Sequence, residues 1–201
     1  MRLAHREATM AGVSHVWFES MPVPILDTDR IRLRPYRADD RDGLFELFGD
    51  PLVARYWSFP TWTDVAQAVE FLAPLLGPEA DDPTTQRWVI ADRASDAFAG
   101  NTTLFSLHPD QHRTEIGFAL LRRHWGLGIA REAVSRVISH GFDELGLRRI
   151  EADIDPRNAP SIALVERLGF QREGHLRERW VVAGQVCDSA IFGLLQRDFR
   201  R

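Results

Sequence analysis

Gly126 and Gly128 stand two apart between a strand-like run ending at Leu120 and a long apolar-periodic segment beginning near Ile129. A glycine loop at that position leaves the first backbone N–H groups of the following helix without partners, where the helix dipole also favours negative charge. The chemistry this allows is anion binding, and a pyrophosphate fits on main-chain amides alone. The missing side chains permit close approach. Spacing alone equally fits a plain turn. A dinucleotide fingerprint is excluded, because Arg131 stands where its third glycine would be.

Composition narrows what else the chain can do. Lys+Arg 25 against Asp+Glu 29 in 201 residues gives a formal net charge of −4, so no basic field exists to hold nucleic acid or an anionic membrane. That balance suits a cationic small molecule instead. Every basic residue is arginine, and the sequence contains no lysine. Schiff-base and pyridoxal chemistry, the Walker lysine and the kinase lysine are all excluded, and the arginines are binders rather than bases. Cys187 is the single cysteine, which rules out a disulfide framework or a multi-thiolate zinc site and is consistent with a reducing cytoplasm. It is expected to be a small buried residue and not a nucleophile. His108 and His112 have a spacing that suits zinc on a helix, but Pro109 and Asp110 make the segment a turn, so no metal is expected.

The elements that must position these groups follow from periodicity. Ile31, Leu33 and Pro35 alternate with Arg30, Arg32 and Arg34, as in a half-exposed strand whose arginines face water. Asp39 and Asp40 cap a helix over Leu44, Phe45, Leu47 and Phe48 that ends near Gly49. A second helix follows Thr63, and Gly77 to Thr85 reads as a loop. Strands are expected at Trp88 to Ala91, Phe98 to Phe105 and Glu115 to Leu120, with Leu107 to Arg113 as a connection. Ile129, Ala130, Ala133, Val134, Val137, Ile138 and Phe142 share one helical face, and Gly146 is placed to stop that helix. After a strand at Arg149 to Ile154, Pro156 and Asn158 open a short helix closed by Gly169, and two last strands flank the Ala183-Gly184 turn. The order predicts an α+β domain with a mixed, mainly antiparallel sheet of six to seven strands flanked by helices.

The segment Arg123-His124-Trp125-Gly126-Leu127-Gly128, followed by Ala130, resembles motif A of the GNAT superfamily of N-acetyltransferases, and Asn158 to Phe170 resembles its motif B. Ile31 to Pro35, Trp125-Gly126, Arg149 to Ala152 and Asn158 to Ser161 are similar to the RimJ/RimL-like branch. The resemblance runs from about Ile25 to Phe199. It implies a GNAT fold with splayed central strands and acetyl transfer from acetyl-CoA to a primary amine by direct attack. It also implies pyrophosphate on Arg123, His124, Trp125, Gly126, Leu127, Gly128, Ile129 and Ala130, and the pantetheine arm along Phe118, Ala119 and Leu120 and against Asn158. A backbone N–H near Leu120 would stabilise the thioester oxygen as it gains charge.

Proton handling is less defined. Glu115, on the strand beside the implied slot, is the first choice of base, with Asp153 second and a solvated carboxylate as the plain alternative. Many relatives carry a tyrosine acid in motif B where Val165 stands, which leaves Ser161 as the candidate acid and keeps alive a non-catalytic acyl-CoA-binding module as the rival function. Trp57, Trp62 and Trp88 are candidates for the wall of an acceptor pocket. The expectation is therefore one cytoplasmic domain over residues 24–201, preceded by an extension over residues 1–23 in which His5, Glu7, His15 and Glu19 interrupt any export signal. The acceptor would be a small-molecule amine or a protein amino terminus, with a homodimer in keeping with the family.

Overall fold

The computed structural model describes residues 22–77 and 82–200. Almost all of the extension expected over residues 1–23, and part of the loop expected from Gly77, fall outside the described residues. The chain runs β1 (Leu26–Asp27), β2 (Ile31–Arg34), α1 (Arg41–Gly49), α2 (Pro51–Ala54), α3 (Ala66–Leu76), β3 (Gln86–Asp92), β4 (Phe98–His108), β5 (Arg113–Leu120), α4 (Ile129–Asp143), β6 (Arg149–Ile154), α5 (Ala159–Leu168), β7 (Gln171–Val182) and β8 (Gln185–Leu195). The strands form one eight-stranded sheet in the order β1-β2-β3-β4-β5-β6-β8-β7. The strand that the sequence pattern misses is β1, whose two residues are too few to show a period.

The sheet is covered on both faces. Ile31, Leu33, Trp88 and Ile90 point to one side, where they pack with Val134, Val137 and Ile138 of α4 and with Val165 and Leu168 of α5. Val89 and Ala91, the alternate positions of β3, point to the other side, against Leu44, Leu47 and Phe48 of α1 and Leu72 of α3. A strand buried on both faces reads as a continuous apolar run, which is why β3 is Trp-Val-Ile-Ala at its centre.

Four local expectations are corrected. Arg34 does not face water: its side chain is 3% exposed and makes a two-pronged ion pair with buried Asp40, with Asp96 on its Nε at 3.0 Å. Asp40 therefore accepts from a guanidinium rather than capping α1 with its side chain. The long helix α4 stops at Asp143, three residues before Gly146, which takes a left-handed turn (φ +64°) on the way to β6. The connection expected over Leu107 to Arg113 shrinks to a single turn at Pro109–Gln111, because β4 continues to His108 and β5 starts at Arg113.

The feature that positions the site is a defect in pairing. All neighbouring strands are antiparallel except β5 and β6, which are parallel and share only three rungs, Arg113 with Arg149, Thr114 with Ile150 and Glu115 with Glu151. Past Glu115 and Glu151 the two strands part. β5 continues along β4 to Leu120, and β6 continues along β8 to Ile154.

Candidate active site

The opened ladder leaves main-chain groups facing a gap. Leu121 donates its N–H to the Ala99 carbonyl on the β4 side at 2.9 Å. Strand alternation then turns the N–H groups of Leu120, Phe118 and Ile116 away from β4, toward the parted β6. The Leu120 carbonyl, on that same side, accepts from the Trp125 indole Nε1 at 2.9 Å, so the end of β5 is braced by the loop that follows it.

That loop enters α4 through two left-handed glycines, Gly126 (φ +74°) and Gly128 (φ +78°). A side chain at either position is strained, since left-handed backbone costs an L-residue roughly 1–2 kcal/mol. Gly128 is the N-cap and no side chain caps the helix. The first N–H of α4 to find an acceptor is that of Glu132, which bonds the Gly128 carbonyl at 3.1 Å. Among the described residues no acceptor meets the amides of Leu127, Gly128, Ile129, Ala130 or Arg131. These donors fit a diphosphate by their number and by the sign of the dipole.

A neighbouring strand end holds the loop in this shape. Arg30 donates Nη1 to the Leu127 carbonyl at 2.9 Å and pairs Nε and Nη2 with Glu132 Oε2, both at 2.6 Å. Glu132 Oε1 also accepts from the Arg30 N–H and from Thr28 Oγ1. The sequence pattern gave no sign of this clamp, since Arg30 reads as one more solvated arginine of an alternating strand. Arg123 is ion-paired with Glu46, a solvent-exposed pair. His124 is half-buried, and burial together with Arg123 pushes its imidazole below the usual histidine value.

On the other side of the gap lies a cavity of about 760 Å³. It gathers Glu115 and Phe118 from β5, Asp153 from β6, Asn158 and Ser161 from the start of α5, and Trp57 from the segment after α2. Asn158 caps α5, its side chain accepting from the Ser161 N–H at 3.3 Å. Ser161 is half-buried and lines the cavity. Ala119 and Leu120 are buried, at 6% exposure each, and meet the gap only through their backbone. Val165, one turn beyond Ser161, is fully buried in the core.

Glu115 sits at the last rung before the strands part. Burial, with Glu151 beside it and Asp153 nearby, raises its carboxyl above the usual range, against a hydrogen bond from Ser106 that lowers it. Ser106 is itself held in left-handed backbone (φ +51°) at a bulge between β4 and β5, which turns it toward Glu115. Among the described residues no arginine forms an ion pair with Glu115, whereas its neighbour Glu151 is taken by Arg113 and Arg149. Asp153 likewise enters no ion pair among the described residues; it accepts from Ser189 Oγ and, at 3.3 Å, from Trp180 Nε1.

The tryptophan and cysteine expectations divide. Trp57 lines the cavity, but Trp62 is packed in the α1–α3 core and Trp88 is wholly buried, its Nε1 donating to the Pro24 carbonyl at 2.8 Å. Cys187 is not buried: it is half-exposed on the cavity wall, 3.3 Å from Arg157 Nη2. The residues that sequence reading missed are Tyr56, Ser106, Trp180 and Ser189, which reach the cavity only through tertiary contacts. Among the described residues there is no cluster of three or more potential metal ligands, and no helix is long and apolar enough to cross a membrane.

A parallel pair that parts beside a glycine-entered helix is the arrangement of an acyl-CoA-dependent transferase. The chain belongs to the GNAT acetyltransferase family, whose domain model matches residues 30–171. It is 36% identical over 174 residues to the uncharacterized N-acetyltransferase p20 of Bacillus licheniformis, covering 87% of this chain and 97% of that protein. Among solved structures it is similar to a GCN5-related N-acetyltransferase from Brucella melitensis, at 26% identity and a TM-score of 0.76, over 90% of this chain and 82% of that one. The fold also matches spermidine N-acetyltransferase from Vibrio cholerae in complex with CoA and spermine, at 22% identity and a TM-score of 0.73, over 85% and 98% of the two chains. The protein is an N-acetyltransferase of a family that uses acetyl-CoA.

Proposed function

We propose that the unpaired amides from Leu127 to Arg131 hold the diphosphate of acetyl-CoA, that the gap beside Phe118, Ala119 and Leu120 takes its pantetheine arm, and that the acceptor amine enters from the cavity. When bound, the thioester supplies an activated acyl carbon open to attack by a neutral amine. Glu115 removes the proton that keeps the amine cationic; its raised carboxyl is closer to a base working near neutrality than an ordinary glutamate would be. The N–H of Leu120 donates to the acyl oxygen as charge gathers there, a role that suits a main-chain group already fixed in a strand. Ser161 donates its hydroxyl proton to the departing sulfur, and Asn158 contacts the arm while capping α5. Arg123, His124, Trp125 and Gly126 complete the loop, with the Trp125 indole bracing the Leu120 carbonyl.

The observation that carries this reading is the three-rung ladder, because it opens the sheet beside a carboxylate that enters no ion pair among the described residues. Val165 removes the tyrosine that many relatives would use, yet Ser161 lies on the cavity wall one turn earlier and offers a hydroxyl. We place the chain in the RimJ/RimL-like branch on Ile31 to Pro35 and Arg149 to Ala152. Residues 24–201 are taken as the catalytic domain and 1–23 as an extension; Leu26 in the core and the Pro24 carbonyl on Trp88 support a boundary near residue 23. The single cysteine supports a cytoplasmic setting.

The test is release of free CoA thiol from acetyl-CoA with a panel of amines that includes a polyamine, an amino acid and a peptide amino terminus. Turnover with at least one is expected. Tight CoA binding without turnover on any of them would make the chain a binding module instead.

A further inference from the structure

The charged side chains lining the cavity are Arg55, Glu115, Asp153, Asp155, Arg179 and Asp188. Asp155 is held by Arg157 at 2.6 Å, and Asp188 lies 2.8 Å from His175 Nε2 while accepting from the Glu178 N–H. The other four enter no ion pair among the described residues, although the chain is dense in ion pairs elsewhere. Two carboxylates and two guanidiniums thus share one cavity without neutralising one another.

They are kept apart by the elements that carry them. Glu115 and Asp153 rise from β5 and β6 in the sheet. Arg55 follows α2 and lies over the Tyr56 ring, 5.2 Å from its centroid, and Arg179 lies over the Trp180 ring at 5.3 Å. Trp180 separates the signs directly: its face carries the Arg179 guanidinium while its indole edge donates to Asp153 and to Ser189 Oγ. A register shift in β7 between Leu176 and Trp180, with Glu178 in left-handed backbone (φ +53°), sets that orientation. A guanidinium parked on an aromatic ring retains donors for a carboxylate.

We propose that the acceptor carries an anionic group as well as its amine, the amine directed to Glu115 and Asp153 and the anion, a carboxylate, to Arg55 and Arg179. This rests on the acetyl-transfer reading and narrows its acceptor to an amino-carboxylate, whether a free amino acid or an acidic peptide end. A polyamine, cationic at both ends, meets two arginines.

Three amines of equal carbon chain test it with wild-type protein: ε-aminocaproate, hexylamine and hexamethylenediamine. The expected order of kcat/KM places ε-aminocaproate about tenfold above hexylamine, the scale of one charged hydrogen bond, with hexamethylenediamine lowest. In an Arg55→Gln, Arg179→Gln double variant the ratio of ε-aminocaproate to hexylamine collapses toward one. Amide-capped peptides differing only by Glu or Gln after the amino-terminal residue separate the two sources, an advantage for Glu assigning the peptide end and parity assigning the free amino acid. Preference for the diamine, or a ratio unmoved in the double variant, overturns the inference while leaving acetyl transfer intact. Absence of thiol release with every one of these amines overturns the acetyl-transfer reading and this inference with it.

Discussion

The two sides of the gap are built from different materials. At the entrance to α4 the working groups are main-chain amides, shaped by Gly126 and Gly128 and clamped by Arg30. In the cavity they are side chains from β4, β5, β6, α5, β7 and the segment after α2. A main-chain site recognises something common to many ligands, such as a diphosphate, and tolerates sequence change except at the glycines. A side-chain site chooses one partner and can be rewritten without disturbing the sheet. The difference suits a fold in which one cosubstrate is constant and the acceptor varies.

The contrast is sharpest in its response to mutation. Replacing the cavity carboxylate, Glu115→Gln, is expected to lower kcat by about a hundredfold or more, the scale of a lost general base. The acid limb of its pH–rate profile, which the raised carboxyl places above the ordinary glutamate range, disappears with it. Steady-state kinetics across pH checks both, and an unchanged acid limb assigns the base elsewhere. On the amide side, Gly128→Val forces a β-branched residue into left-handed backbone and is expected to reduce kcat/KM for acetyl-CoA about ten- to a hundredfold. S-acetylpantetheine, which lacks the diphosphate, should lose much less, and equal losses for both donors would show that the loop does not read the diphosphate. Arg30→Ala releases the same loop more gently. A rise of about fivefold in KM for acetyl-CoA is expected, with kcat little changed, consistent with the loss of roughly 1 kcal/mol from an exposed hydrogen-bonded clamp.

The smallest effect is on stability. A carboxyl raised in the folded state binds its proton more tightly there than in the unfolded chain. Its contribution is fully present below the ordinary glutamate value and is lost as pH rises through the raised one. Ionised Glu115 is therefore a burden on the fold at neutral pH, and Glu115→Gln should raise the Tm at neutral pH with no gain in acid. Thermal melts at the two pH values measure it.

How much of this was legible in the sequence follows the same division. Four of the five helices and seven of the strands declare themselves through period, and the loop through Gly126 and Gly128, because these are local properties of the chain; α2, a single turn at Pro51–Ala54, is too short to show one. Glu115, Phe118, Asn158 and Ser161 line one cavity. Trp62 and Trp88 were misread because aromatic character does not tell a pocket wall from a core, and Arg34 because a buried guanidinium with Asp40 looks the same in sequence as a solvated one. Cys187 and Trp180 reach the cavity through the β7–β8 pairing, a contact that no spacing encodes.

The absence of lysine has one more outcome. Every cation in the ion pairs described is a guanidinium or an imidazole. A guanidinium holds its proton throughout the working pH range and offers no nucleophilic nitrogen to an acyl donor. An enzyme that handles reactive acetyl groups thereby presents no ε-amine on which they could settle, and none of its side chains can become an amine substrate.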